Sequence, residues 1–148
     1  MRLQQWAANG WLRPHQTTPG QIADLLAIVE RDIKDSERDL SPDWQFGIAY
    51  NATLKLCTIL LYASGCRPGK NLAHYRTLQS LPLILGSQFS ADADYLDSCR
   101  AKRNTAEYDA AGTVSQSESD ELRAFTHELR THVLQWLLQN HPTLIGAP

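Results

Sequence analysis

The chain has 148 residues, a formal charge of −2 and an isoelectric point near 6.2. That length suffices for one domain with a real core and no covalent staples. The acidic balance excludes a protein that coats nucleic acid through its overall field, so any grip on phosphates has to be local.

Residues 1–16 carry Leu3, Trp6, Trp11 and Leu12 around Asn9-Gly10 and read as a lid segment: a short helical turn, a break at Gly10, and an apolar hook closed by Pro14. Thr17-Thr18-Pro19 sets a capping residue before a proline, and Ile22, Leu25, Leu26, Val29 and Ile33 then recur at helical spacing to about Glu37. Ser41-Pro42-Asp43 repeats the signal and opens a second helix. Its broad apolar face, from Phe46 through Tyr50, Leu54 and Cys57 to Leu61, marks it as the core strut, ended by Gly65 and the Arg67-Pro68-Gly69 turn. A third helix starts near Asn71 and meets Pro82, which should kink or shorten it. Ser90-Ala91-Asp92 opens a fourth with an acid in its first turn. Gly112 to Ser119 reads as a flexible loop, with Ser117 and Asp120 as an approximate capping box. The last helix carries Leu122, Phe125, Leu129, Val133 and Trp136 on one face, and Leu134, Leu137 and Leu138 widen that surface beyond one contact. Residues 142–148 should fray.

No segment alternates apolar and polar residues long enough for a strand. The expectation is one all-α domain over residues 1–148, an antiparallel (up-and-down) bundle of about five helices, with a homodimer through one face. Cys57, Cys66 and Cys99 form no CxxC pair, no basic start leads into an apolar h-region, and no uninterrupted apolar run approaches ~18–20 residues. A reduced, cytoplasmic setting is therefore expected, rather than export or a membrane span.

The stretch with chemistry in it is Tyr95 to Asp109. At about 3.6 residues per turn, Leu96, Cys99, Arg100, Arg103, Asn104, Glu107 and Tyr108 share one side of the fourth helix. A helix meant only to pack would place Leu or Ile at 100, 103 and 104, since burying an unpaired charge costs several kcal/mol. Two readings stand. Arg103 pairs with Glu107 and Arg100 with Asp97 on a solvated face, or Arg103 and Asn104 are presented at a groove where a fixed guanidinium holds a phosphate.

Other constellations carry less. His127 and His132 are five positions apart and diverge on a helix, no HExxH occurs, and neither a metal nor a cofactor is expected. There is no GxSxG and no strand framework for a hydrolase triad. Arg67-Pro68-Gly69-Lys70 has the charges of a phosphate loop without its glycines and reads as a turn. His74 sits in Asn71-Leu-Ala-His-Tyr-Arg76 with a second basic residue. It either bonds within the bundle or joins Arg103 in one groove, if the third and fourth helices are neighbours. Tyr50 should bury its ring and find a partner for its hydroxyl.

The Arg100-Ala-Lys-Arg-Asn-Thr-Ala-Glu-Tyr108 segment, late in an all-α chain and preceded by Ala49-Tyr50-Asn51-Ala52 and Ala73-His74-Tyr75-Arg76, resembles the higher eukaryotes and prokaryotes nucleotide-binding (HEPN) superfamily. More narrowly, it is similar to the small stand-alone bacterial members with an Arg-Asn-x-x-Glu-Tyr signature. The resemblance implies a dimeric helical bundle, and for many members metal-independent RNA cleavage as a toxin beside a nucleotidyltransferase-like antitoxin. The family motif is an Arg, a polar residue and, after a short gap, a His. Arg103 and Asn104 match the first two, but Tyr108 stands where the shortest motif would place the His. Tyr titrates near about 10 and His near about 6.5, so Tyr108 is a poor general base at neutral pH.

The expected function is accordingly a binding module, in which Arg100, Arg103, Asn104 and Glu107 line a groove for a nucleotide, an RNA segment or a partner protein. The alternative is a metal-independent endoribonuclease, with Arg103 stabilising the phosphorane-like charge and His74 or Tyr108 handling a proton.

Overall fold

The computed structural model describes residues 2–146; the start of the expected lid at Met1 and the end of the expected frayed tail, Ala147 and Pro148, lie outside the described residues. The fold is an all-α bundle arranged about one central helix. Helix α2 (Pro19–Ser36) begins at the expected cap: the Thr18 hydroxyl accepts from the Gln21 amide, and the Gln21 side chain accepts from that of Thr18. Helix α3 (Pro42–Ala63) starts likewise, with the Ser41 hydroxyl accepting from the Trp44 amide. It packs against α2 and against α7 (Gln116–Asn140), and its Phe46, Tyr50, Leu56, Ile59 and Leu60 are buried. Among the described residues α3 alone is long and apolar enough to cross a membrane, but 72% of its most apolar 18-residue stretch is buried inside the fold. Asn51 and Lys55 interrupt the run, which is why no continuous apolar stretch stands out in the sequence.

The third helix is broken near Pro82 into α4 (Ala73–Gln79) and α5 (Leu81–Leu85). Helix α6 (Ser90–Asn104) packs against α4 and runs into a π turn, Thr105–Asp109, in which the Ala110 amide donates to the Thr105 carbonyl at 2.9 Å.

Four expectations need correction. The cap of α7 is Ser115, boxed with Glu118, rather than Ser117. The preceding loop is tied down: the Asp43 carboxylate accepts from the Gly112 and Val114 amides at 2.6 and 3.2 Å, and Val114 is buried. The tail forms a 3-10 turn, Pro142–Ile145, because Leu144 and Ile145 gain cover by packing on the core beside α2. Finally, a short ladder is present.

That ladder closes the lid. Helix α1 (Leu3–Ala8) leads into β1 (Leu12–Pro14), which pairs antiparallel with β2 (Cys66–Pro68). Three-residue strands are too short to show an alternating pattern in sequence. Flanking bonds from Gly69 N to Trp11 O and from His15 N to Gly65 O place Pro14 and Pro68 at non-hydrogen-bonded positions, so neither proline removes a ladder bond. Gly69 is where the clasp is tightest, because a Cβ there would lie 3.0 Å from the Gly10 carbonyl oxygen. Trp6 and Leu12 are buried against Leu61 at the end of α3. Arg76 is drawn to this side, its guanidinium 3.6 Å from the Trp11 ring centre. All three cysteines are free. Burial pushes the Cys57 thiol up to about 12 and that of Cys99 up to about 11, and raises the half-buried Cys66 as well.

Candidate functional site

The stripe on α6 leaves the core gradually: Leu96 and Cys99 are buried, Arg100, Arg103 and Asn104 are half-buried, and Glu107 and Tyr108 on the π turn are exposed. Both pairings of the bland reading exist. Arg100 Nε donates to Asp97 Oδ1 at 2.8 Å, and Arg103 Nε lies 3.5 Å from Glu107 Oε1. The second contact is an ion pair at the edge of range without the geometry of a hydrogen bond. Arg103 Nε is buried and has no hydrogen-bond partner among the described residues. Its Nη1 donates to Asn104 Oδ1 at 3.0 Å, and its guanidinium carbon sits 5.2 Å from the Tyr50 ring centre. The side chain is only 20% exposed and borders a cleft of about 280 Å³ shared with Asp32, Trp44, Gly47, Ile48, Asn51 and Glu107. Arg103 is therefore neither flat against bulk water nor saturated by its own acids.

Helices α4 and α6 are neighbours, as the groove reading requires. His74 reaches solvent on α4, yet its pKa is lowered, first by partial burial and then by the charges of Arg103, Lys55 and Arg100. The charges that act on His74 thus come from α3, through Lys55, and from α6, through Arg100 and Arg103. Tyr50 lies beneath it, fully buried. Burial pushes its hydroxyl up to about 12 against the opposing pull of Arg103 and Arg100, and that hydroxyl has no partner among the described residues. The expectation of a partner is corrected: the hydroxyl is buried without one, and the ring gives its face to the Arg103 guanidinium.

Glu107 stands between two clefts. Its carboxylate sits over Gly47, where an added Cβ would come within 3.4 Å of Oε1, and it borders both the Arg103 cleft and an adjoining groove of about 610 Å³. Trp44, 61% exposed, and Tyr108, 73% exposed, line that groove with Asp43. Tyr108 therefore belongs to an aromatic, acid-edged groove, whereas His74 stands with the cations. The three candidate proton-handling and charge-stabilising groups do not line one pocket. Among the described residues no three His, Cys, Asp or Glu side chains converge as metal ligands.

No family model, characterised protein or solved structure matches this chain. What the cluster can do follows from its own chemistry. Lys55 on α3 and Arg100 and Arg103 on α6 put three cations beside a neutral imidazole, and the Arg103 guanidinium, held by an aromatic face and lacking a bond at its buried Nε, can turn to take an oxyanion.

The sequence reading missed Lys55, Asp32 and Trp44. Lys55 looks like a solvated helix position, and only the packing of α4 on α3 makes it a neighbour of His74. Asp32 is buried in α2 and accepts from Asn51 Nδ2 at 2.6 Å. The amide of Asn51, midway along an otherwise apolar helix, is the one sequence signal that points to such a partner.

Proposed function

We propose that the protein is a HEPN-like RNA-binding module that grips the phosphodiester backbone at Arg103, with Arg100, Lys55, His74 and Asn104 around it, and does not cut. The observation that carries this reading is the Arg103 side chain: mostly buried, stacked on Tyr50, bordering a cleft and without a hydrogen bond at Nε. The Arg-Asn-x-x-Glu-Tyr resemblance supports RNA as the source of the phosphate. The missing motif His, with Tyr108 displaced into the other groove, supports binding without cleavage. A homodimer accords with the exposed Leu138 on α7.

The test is fluorescence anisotropy with a short unstructured RNA. The wild type binds, and Arg103→Ala weakens binding about 10- to 150-fold, the loss of a charge-assisted contact, with an unchanged circular dichroism spectrum. Equal affinity in the two proteins overturns the reading.

One observation favours a second reading, a metal-independent ribonuclease paired with a nucleotidyltransferase-like antitoxin. His74, with its lowered pKa, is neutral at pH 7 and so able to accept a proton beside Arg103. RNA cleavage in EDTA that is lost in both Arg103→Ala and His74→Ala would establish it.

A further inference from the structure

The two strands of the lid clasp carry the same pattern, Leu12-Arg13-Pro14 and Cys66-Arg67-Pro68, and their register sets Arg13 directly opposite Arg67. Opposed residues in an antiparallel pair share one face with their Cβ atoms about 4.5–5.5 Å apart, and like charges so placed repel. Both side chains are exposed, and among the described residues neither enters an ion pair. The clasp does not need them: Leu12 supplies the burial, the backbone supplies the ladder, and an acid or a threonine at either position would pair better. Two guanidinium groups side by side without an anion between them are a liability to the fold and an asset to a ligand.

The surroundings say what kind of anion. Lys70, also exposed, follows two residues after Pro68, and the chain then enters α4, which carries His74 into the Arg103 cluster. Along α3, Tyr50 beneath Arg103 and Leu61 under the clasp are separated by a rise of about 17 Å, with Lys55 between them. The twin arginines are therefore joined to the first phosphate-binding place by a basic segment, at a separation that a strand of several nucleotides spans and a mononucleotide does not.

We propose that Arg13 and Arg67 bracket a second phosphate of the strand held at Arg103, so that the ligand is a single-stranded polynucleotide and not a mononucleotide. This rests on the RNA-gripping reading above. A phosphate oxygen accepts from one guanidinium on each strand, and the repulsion built into the clasp is relieved on binding.

The test compares the wild type, Arg13→Gln/Arg67→Gln, Arg13→Glu and Arg103→Ala against a short uridine oligonucleotide, uridine monophosphate and inorganic phosphate over a range of salt. In the double variant the slope of log K against log salt is expected to shrink by about 0.7, the share of one single-strand phosphate. Oligonucleotide affinity falls, monophosphate affinity is unchanged, and Tm does not fall. Arg13→Glu, which places an acid opposite Arg67, is expected to raise Tm while weakening the oligonucleotide. If the double variant keeps the wild-type slope and affinity while Arg103→Ala weakens binding, the second phosphate site is overturned and the RNA reading stands. If the double variant loses monophosphate or inorganic phosphate as strongly as the oligonucleotide, the twin arginines hold a free anion and the strand is overturned. If no oligonucleotide binds the wild type, both readings fail.

Discussion

His74 is the residue whose behaviour reports most directly on the basic cluster. In an unfolded chain its ring titrates near about 6.5, and in the fold the value is lower, because burial and then Arg103, Lys55 and Arg100 oppose the imidazolium. Between the two values the unfolded state binds more protons, so stability falls as pH drops through that window and is fully regained above about 6.5. An NMR titration of the His74 ring is expected to give a midpoint below 6.5, to move up in Arg103→Ala, and to move up again when RNA places a phosphate nearby. A midpoint at or above 6.5 in the free wild type would mean that the cations do not converge. Arg103 itself was legible as an anomaly, an arginine where a packing helix wants leucine. What sequence did not reveal was how the anomaly is tolerated, through the face of a tyrosine that lies 53 positions earlier in the chain and gives its ring to the charge.

Among the elements, the loop between the π turn and α7 shows how a distant carboxylate replaces local order. Asp43, in the first turn of α3, holds the Gly112 and Val114 amides. Hydrogen bonds to a charged group are worth about 1.5–3 kcal/mol each. Asp43→Ala is expected to lower stability by about that amount and to speed hydrogen exchange at both amides, and unchanged exchange would show that the loop holds itself. The helix starts after Thr18 and Ser41 were legible because a cap is written in four consecutive residues. The start of α7 was placed too late because Gly112 to Ser119 looks like a loop by composition, and its restraint comes from across the molecule. The π turn carries no local mark at all, since Thr105 to Asp109 would suit an ordinary helix equally well.

For the whole molecule, α3 is the axis against which α2 and α7 pack, with the clasp at one end and the aromatic groove at the other. Leu56→Ala, at a site fully closed to solvent, is expected to cost about 2–5 kcal/mol in urea unfolding, with loss of all helical signal in one transition. A separate early transition would show that the clasp and the bundle unfold independently. The bundle was visible from apolar periodicity alone, because each helix writes its buried face into its own residues. The clasp was not, because it joins two tripeptides from distant parts of the chain. That clasp also settles the fate of the thiols. Cys57 and Cys99 are sealed under helices, while Cys66, its thiol also raised by burial, stands half open in the strand beside Arg67. A maleimide dye added to the native protein would find one address, and the chain comes with its own attachment point for watching that strand at work.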